Sequence, residues 1–353
     1  MLANHLSSGS RPGWRCTTAA FCAAVLAAML AAFPVQAATV NVYSARQEAL
    51  IKPLLDEFTA SSGIEVNLVT GAGDALLARL INEGRNSPAD VLLTVDAGRL
   101  FRAREAGVLQ PVESTYLEQV VPANLRDSEG YWFGLSVRAR VIAYARQRVD
   151  AAQLSTYAAL ADPRWRGRIC IRSSGNIYNQ SLVAGMLATE GPANTAQWLA
   201  GLVANLARPP QGGDRDQIKA VAAGQCDVAV VNSYYYGAML QSDDAAEREA
   251  AGAVAVFFPN QDDRGTHINI SGAGVTAAAG NKQAAIALIE YLARPEAQSW
   301  YAERNNEYPV RKDVAPGALL ESWGDFKADS LNVTELGRLN AQAVMAMDRA
   351  NWK

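Results

Sequence analysis

The chain contains 353 residues, 50% of them hydrophobic, and its 32 basic and 35 acidic side chains give a formal net charge of −3. This balance lacks the excess of basic residues with which proteins bind nucleic acids or anionic membrane surfaces. We therefore expect no nucleic-acid partner. The length exceeds that of one typical domain, so we expect two lobes.

The N-terminal segment has the pattern of a secretory signal. A polar stretch with Arg11 and Arg15 precedes an apolar run at residues 19–33, which ends in the small-residue pattern Val-Gln-Ala at 35–37. The run is shorter than the about 20 residues that span a membrane. Residues 1–37 are therefore predicted to be a signal peptide, and we expect a periplasmic protein without direct membrane insertion. Removal of the signal peptide leaves 30 basic and 35 acidic side chains, a formal net charge of −5.

Strands and helices are predicted to alternate from there on. Apolar residues predict strands at 40–42, 64–68 and 90–95, and helical spacing predicts helices at 50–58, 76–81 and 98–106. This pattern is typical of an α/β fold whose strands are buried on both faces.

The lobe boundaries must be placed at strands that cross between lobes, because no repeat or low-complexity linker divides the chain. The best candidates are residues 134–145 and 253–259. Two crossings make the first lobe discontinuous, with lobe 1 at 38–137 plus 263–308 and lobe 2 at 138–262 plus 309–353.

Two cysteines, Cys170 and Cys226, remain after the predicted signal peptide. In an oxidising compartment an isolated pair favours a disulfide over two free thiols. The two residues lie in short apolar strands at 168–172 and 226–231, so a bridge would place these strands side by side.

Tyrosines follow both of these strands. Tyr234, Tyr235 and Tyr236 are consecutive, and Tyr178 has a matching position after the other strand. A phenol titrates near about pH 10, so its proton is readily displaced only by a strongly polarising cation such as Fe³⁺. Both Tyr234 and Tyr235 can reach one ion only if the chain turns there, because neighbours in a strand point to opposite faces.

The sequence also bears on other metals and on other roles for these tyrosines. The one histidine after the predicted signal peptide, His267, lies among polar residues and is expected at the surface, so soft or nitrogen-rich metal sites are disfavoured. Tyrosines also occur at interfaces between lobes and can stack on an organic ligand.

Six stretches together resemble one known family. The most specific are Ser-Ser-Gly-Asn-Ile-Tyr-Asn-Gln at 173–180 and Asn-Ser-Tyr-Tyr at 232–235; the others lie at 42–47, 89–100, 132–135 and 212–216. They resemble the periplasmic iron(III)-binding proteins of bacterial ferric ABC transporters. The resemblance implies the two-lobed type II periplasmic binding protein fold, with an interlobe cleft and hinge strands. It also implies Fe³⁺ as cargo, an ABC permease in the inner membrane as partner, and a monomeric shuttle.

The resemblance implies a ligand set of Tyr178, Tyr234 and Tyr235, since the last two directly follow the Asn-Ser pair. Tyr236 is kept as an additional candidate ligand. Relatives place a histidine, a tyrosine or a glutamate where this chain has Gln47, Glu48 and Val95, so ligation from the first lobe is reduced to Glu48 as a second additional candidate.

The Arg46-Gln47 pair resembles the subgroup in which three tyrosines hold iron together with a synergistic anion such as carbonate. Three phenolates neutralise the charge of Fe³⁺ but fill only half of its about six coordination positions. Arg46 and a helix beginning near Gln47 would bind the anion. Residues predicted to bind the anion or to orient the phenolates are Asp96, Arg138, Arg140, Asp214, Arg215, Asn232, Asn269 and Ser271.

Two further functions remain as alternatives. A binding protein for a small organic or phosphonate solute could use the same fold, with tyrosines stacking on its ligand. An enzyme is disfavoured, because the sequence has no Ser/His/Asp set, no His-Glu-x-x-His motif, no paired-acid motif and no phosphate loop. We therefore expect a binding protein without catalytic activity.

Overall fold

The computed structural model describes residues 1–2, 4–6, 9 and 38–353. The predicted signal peptide thus lies almost wholly outside the described residues. In the described part of the chain no helix is long and apolar enough to cross a membrane.

Eight strands form one mixed sheet with the order β2-β1-β3-β8-β4-β6-β5, and β7 pairs with β4 beside this path. The strands are β1 Thr39–Ser44, β2 Glu65–Thr70, β3 Val91–Val95, β4 Phe133–Ala145, β5 Ile169–Cys170, β6 Val228–Asn232, β7 Val254–Phe257 and β8 Ile268–Val275. The α/β class predicted from the sequence is confirmed.

Helices cover both faces of this sheet. They are α1 Lys52–Ser62, α2 Gly73–Glu83, α3 Ala97–Glu105, α4 Thr115–Val120, α5 Ile177–Ala204, α6 Asp214–Ala222, α7 Ser233–Leu240, α8 Ala245–Gly252, α9 Lys282–Leu292, α10 Pro295–Asn305, α11 Ala318–Glu321, α12 Thr334–Arg338 and α13 Asn340–Arg349.

Strand β4 is shared by two hydrophobic cores. Its N-terminal half pairs with β8 and contributes Phe133 and Leu135 to the first core, which also contains β1 and β3. Its C-terminal half pairs with β6 and β7. There the side chains alternate between the two faces of the sheet, and together the apolar clusters on these faces form the second core.

The second passage between the cores lies after β7 rather than within it. The strand β7, inside the predicted crossing at 253–259, pairs only with the C-terminal half of β4, and β8 then joins the first core. Val310, Val333 and Leu336, from the predicted second lobe, also pack in the first core. We retain the predicted lobe boundaries as a proposal with this exception.

The predicted disulfide between Cys170 and Cys226 is confirmed, with a Cα–Cα distance of 5.8 Å. Cys170 ends β5, and Cys226 lies two residues before β6, which is parallel to β5. Because β5 and β6 each lead into a tyrosine-bearing segment, the bridge ties the two segments together at their base.

We expect the double substitution Cys170→Ala/Cys226→Ala to lower the free energy of unfolding by about 2–5 kcal/mol, since the bridge closes a long loop in the unfolded chain. Chemical denaturation measures this loss. The wild-type protein unfolded with a thiol reductant should match the variant, and equal midpoints for the oxidised wild type and the variant would contradict a stabilising bridge.

Candidate metal centre

The tyrosines lie in the first turns of two helices. Strand β6 ends at Asn232, and α7 begins at Ser233, so Tyr234 and Tyr235 belong to its first turn. Asn176 caps α5 by accepting a hydrogen bond from the Tyr178 backbone N–H at 3.1 Å. The turn required by the sequence is therefore a helix start, whose N-terminal dipole favours negatively charged phenolates.

The three phenol rings converge on one cavity of about 240 Å³. The hydroxyl oxygens of Tyr178 and Tyr234 are 3.4 Å apart, and the ring centroids of Tyr234 and Tyr235 are 4.1 Å apart. The cavity is lined by Ala45, Arg46, Gln47, Leu50, Val95, Arg138, Tyr178, Arg215, Tyr234, Tyr235, Ala238, Arg304, Asn305, Asn306 and Glu307. Elements of both cores contribute, so the cavity lies between them.

Burial makes these phenols hard to ionise without a cation. Desolvation raises the pKa of Tyr235 to about 12, and the neighbouring Tyr178 phenol adds to the rise. The pKa of Tyr234 is raised well above its ordinary value for the same two reasons. A ligand that does not compensate the negative charge would leave both residues as neutral phenols.

Arg46 and Arg138 share one buried carboxylate at the cavity wall. Arg46 Nη2 donates to Glu307 Oε2 at 2.5 Å and to Ser136 Oγ at 2.8 Å. Arg138 Nη2 lies 3.3 Å from Glu307 Oε1 and donates to Ser271 Oγ. Burial raises the pKa of Glu307, but Arg46 and Arg138 outweigh this and lower it. Glu307 is therefore a carboxylate that holds both guanidinium groups.

Both arginines retain buried donors without a partner. Among the described residues, Arg46 Nε and Arg138 Nε and Nη1 are buried and make no hydrogen bond. An unpaired buried donor is costly, and both of these arginines line the cavity.

Sequence reasoning missed Glu307. It follows α10 in the polar stretch Asn305-Asn306-Glu307, which has no periodic pattern. This stretch can pack closely against α7 because Gly237 has no side chain. A Cβ added to Gly237 would lie only 2.8 Å from Asn306 Cβ. The one signal in the sequence is a carboxylate that directly follows two asparagines at the end of a helix.

Behind the phenols, a buried ion pair connects the two tyrosine-bearing turns. Arg140 Nη1 donates to Asp214 Oδ2 at 2.8 Å and to Asn232 Oδ1 at 3.2 Å, and its Nη2 donates to Asn179 Oδ1 at 2.6 Å. Asp214 Oδ2 also accepts from the Asn232 backbone N–H at 2.8 Å. Asn232 precedes α7 and Asn179 lies next to Tyr178, so the pair fixes the two turns relative to each other.

Several predicted residues lie elsewhere. Glu48 is exposed and does not line the cavity. Tyr236 points into the second core, where its hydroxyl donates to the Val254 carbonyl at 3.1 Å, and this geometry contradicts its candidacy as a ligand. Asp96 and Asn232 are buried and contact polar neighbours outside the cavity lining.

Two local predictions were wrong. The helix expected near Gln47 is a single 3₁₀ turn at Glu48–Leu50, and α1 begins only at Lys52. The N-terminus of a long helix, which was predicted to bind the anion, is therefore absent at Gln47. His267 is buried rather than exposed, and desolvation lowers its pKa to about 3. It lies beside Gly185 of α5, where an added Cβ would be 3.0 Å from its Nδ1.

The comparisons with known proteins agree on one family. A model described as "Bacterial extracellular solute-binding protein" matches residues 86–325. Iron uptake protein A1 of Synechocystis is 48% identical over 326 residues, covering 92% of this chain and 91% of the relative. The Fe(3+)-binding periplasmic protein of Serratia marcescens is 31% identical over 320 residues, covering 89% and 92%. A solved Trichodesmium structure, IdiA (FutA) with iron and citrate, is 51% identical with a TM-score of 0.87, covering 89% of this chain and 100% of that one.

We expect Asp214→Asn to lower the free energy of unfolding by about 3 kcal/mol, because it leaves the buried Arg140 guanidinium without its counter-ion. Urea denaturation measures the loss. Asp216→Asn, on the same helix α6, is the matched control; it weakens only a hydrogen bond from Gly213 N–H and should cost about 1 kcal/mol or less. Equal losses in the two variants would argue against a supporting role for the buried pair.

Proposed function

Because the chain belongs to the family of bacterial extracellular solute-binding proteins, we propose that it captures Fe³⁺ in the cavity between its two cores and delivers it for uptake. The observation that carries this proposal is the convergence of Tyr178, Tyr234 and Tyr235 on one cavity, with two hydroxyl oxygens 3.4 Å apart. Such a role involves binding without turnover, as expected from the sequence.

The three tyrosines are the proposed ligands. Their burial disfavours ionisation, so a cation must have a high charge density to displace their protons. Fe³⁺ meets this requirement, and zinc and calcium normally use other ligands. The described part of the chain contains no cluster of three or more His, Cys, Asp or Glu residues that could hold a metal instead.

Charge balance supports a synergistic anion. The cavity lining carries four arginines, Arg46, Arg138, Arg215 and Arg304, and one carboxylate, Glu307. Three phenolates would neutralise Fe³⁺, so the arginines would leave a positive excess. A carbonate or a larger carboxylate would offset this excess and fill the remaining iron positions. Arg46 and Arg138, which line the cavity and have unpaired donors, are the proposed anion contacts.

Delivery requires a partner and a compartment. We propose that the protein works in the periplasm as a monomer and hands its iron to an ABC permease in the inner membrane. The shared strand β4 and the passage between β7 and β8 would act as the hinge about which the lobes close on the ion. Closure would then distinguish the loaded protein from the empty one.

We expect the wild-type protein to develop a broad visible charge-transfer band when Fe³⁺ is added with bicarbonate. Tyr178→Phe, Tyr234→Phe and Tyr235→Phe each remove one phenolate, so each should shift or abolish the band and weaken iron retention by at least about tenfold. The measurements are an absorption spectrum and the rate of iron loss to a chelator.

Tyr236→Phe is the matched control, because its hydroxyl faces Val254 and should leave the band unchanged. A wild-type protein that stays colourless under all conditions would contradict iron binding. It would favour the organic or phosphonate solute, for which the arginine-rich lining is also suited.

We expect Arg138→Lys to reduce the effect of bicarbonate on iron retention by about tenfold, because a lysine keeps the charge near Glu307 but loses the guanidinium donors. The assay compares iron loss with and without bicarbonate and, separately, with citrate. Arg102→Lys is the control, since Arg102 pairs with Asp74 outside the cavity. A loss of retention that is equal in all media would contradict the anion contact.

A further inference from the structure

Asp96 adopts a backbone conformation that is rarely seen outside glycine. It follows β3, is fully buried, and has φ = 78°. A residue with a Cβ persists in this conformation only when its surroundings fix it, and such strain is concentrated at functional positions.

The Asp96 carboxylate accepts hydrogen bonds from three directions. Gly98 N–H donates at 2.8 Å and thereby caps α3. Asn269 Nδ2, on β8, donates at 2.9 Å. Ser181 Oγ, on α5, lies 2.8 and 2.9 Å from the two carboxylate oxygens.

These contacts connect the two cores. Ala97 and Leu100, just after Asp96, belong to the first core. Leu182 and Val183, just after Ser181, belong to the second. The hydrogen bond from Ser181 to Asp96 therefore joins a helix of one core to the end of a strand of the other.

The junction lies one helical turn from a proposed iron ligand. Ser181 is three residues after Tyr178 on α5, and residues at this spacing share a helix face. The first turns of α3 and α5 are also packed closely, since a Cβ added to Gly98 would lie 3.5 Å from Ile177 Cδ1. The start of α5 is thus held by Arg140, through Asn179, from within the second core, and by Asp96, through Ser181, from the first core.

We propose that Asp96 and Ser181 form an interlobe latch that positions Tyr178 and slows iron release. This inference rests on the proposed iron binding. Asp96 and Ser181 do not touch the ion; they act by fixing the helix that carries the Tyr178 phenol. The latch links the closure of the lobes to the geometry of one ligand.

The test compares Ser181→Ala with Thr189→Ala. The first removes the hydroxyl that reaches Asp96, and the second removes a hydroxyl on the same helix that bonds only to the Gly185 carbonyl. We expect Ser181→Ala to release iron to a chelator about 5–10 times faster than wild type and to shift the maximum of the charge-transfer band. Thr189→Ala should release iron at the wild-type rate with an unchanged band.

A second measurement does not depend on iron. Small-angle X-ray scattering of the iron-free protein should give a larger radius of gyration for Ser181→Ala than for wild type and Thr189→Ala. Unchanged scattering together with unchanged iron release would overturn the latch. If the wild type binds no iron, the proposed function fails, and the scattering comparison alone then decides whether Ser181 holds the lobes together.

Discussion

The structure is organised around the cost of placing three phenols next to one another in a buried cavity. Their proximity and desolvation oppose ionisation, which raises the pKa of Tyr234 and Tyr235. The arrangement is therefore stable as neutral phenols, and only a highly charged cation makes the ionised form favourable. In the proposed iron site, selectivity would follow from this balance, since a weakly polarising ion gains too little to displace the protons.

Different residues set the charge of the cavity and the positions of the tyrosines. At the cavity wall, Glu307 forms ion pairs with Arg46 and Arg138. Behind the tyrosines, the Arg140–Asp214 pair links the two helix starts, and the disulfide links the strands that lead to them. Because these groups lie on different elements, the residues that set the charge of the cavity are separate from those that fix the proposed ligands.

The sequence was sufficient for features that are encoded locally. Strands with continuous apolar runs, the isolated Cys170–Cys226 pair and the tyrosines after two strands could all be recognised from neighbouring residues. The start of α7 at Ser233 could not, because the polar pair Asn232-Ser233 that ends the apolar run of β6 fits a simple turn as well as a helix start. Glu307 and His267 depend on distant segments, Gly237 and Gly185, that meet them only in the folded chain. Local composition cannot report such contacts.

Gly237 also limits how this protein can vary through evolution. It has no functional group and lies outside the cavity lining, yet any side chain there would collide with Asn306 and displace the segment that carries Glu307. Substitution at this position is therefore limited by volume rather than by chemistry. A comparison of distant variants would find the position closed to larger residues unless the 305–307 segment changed with it.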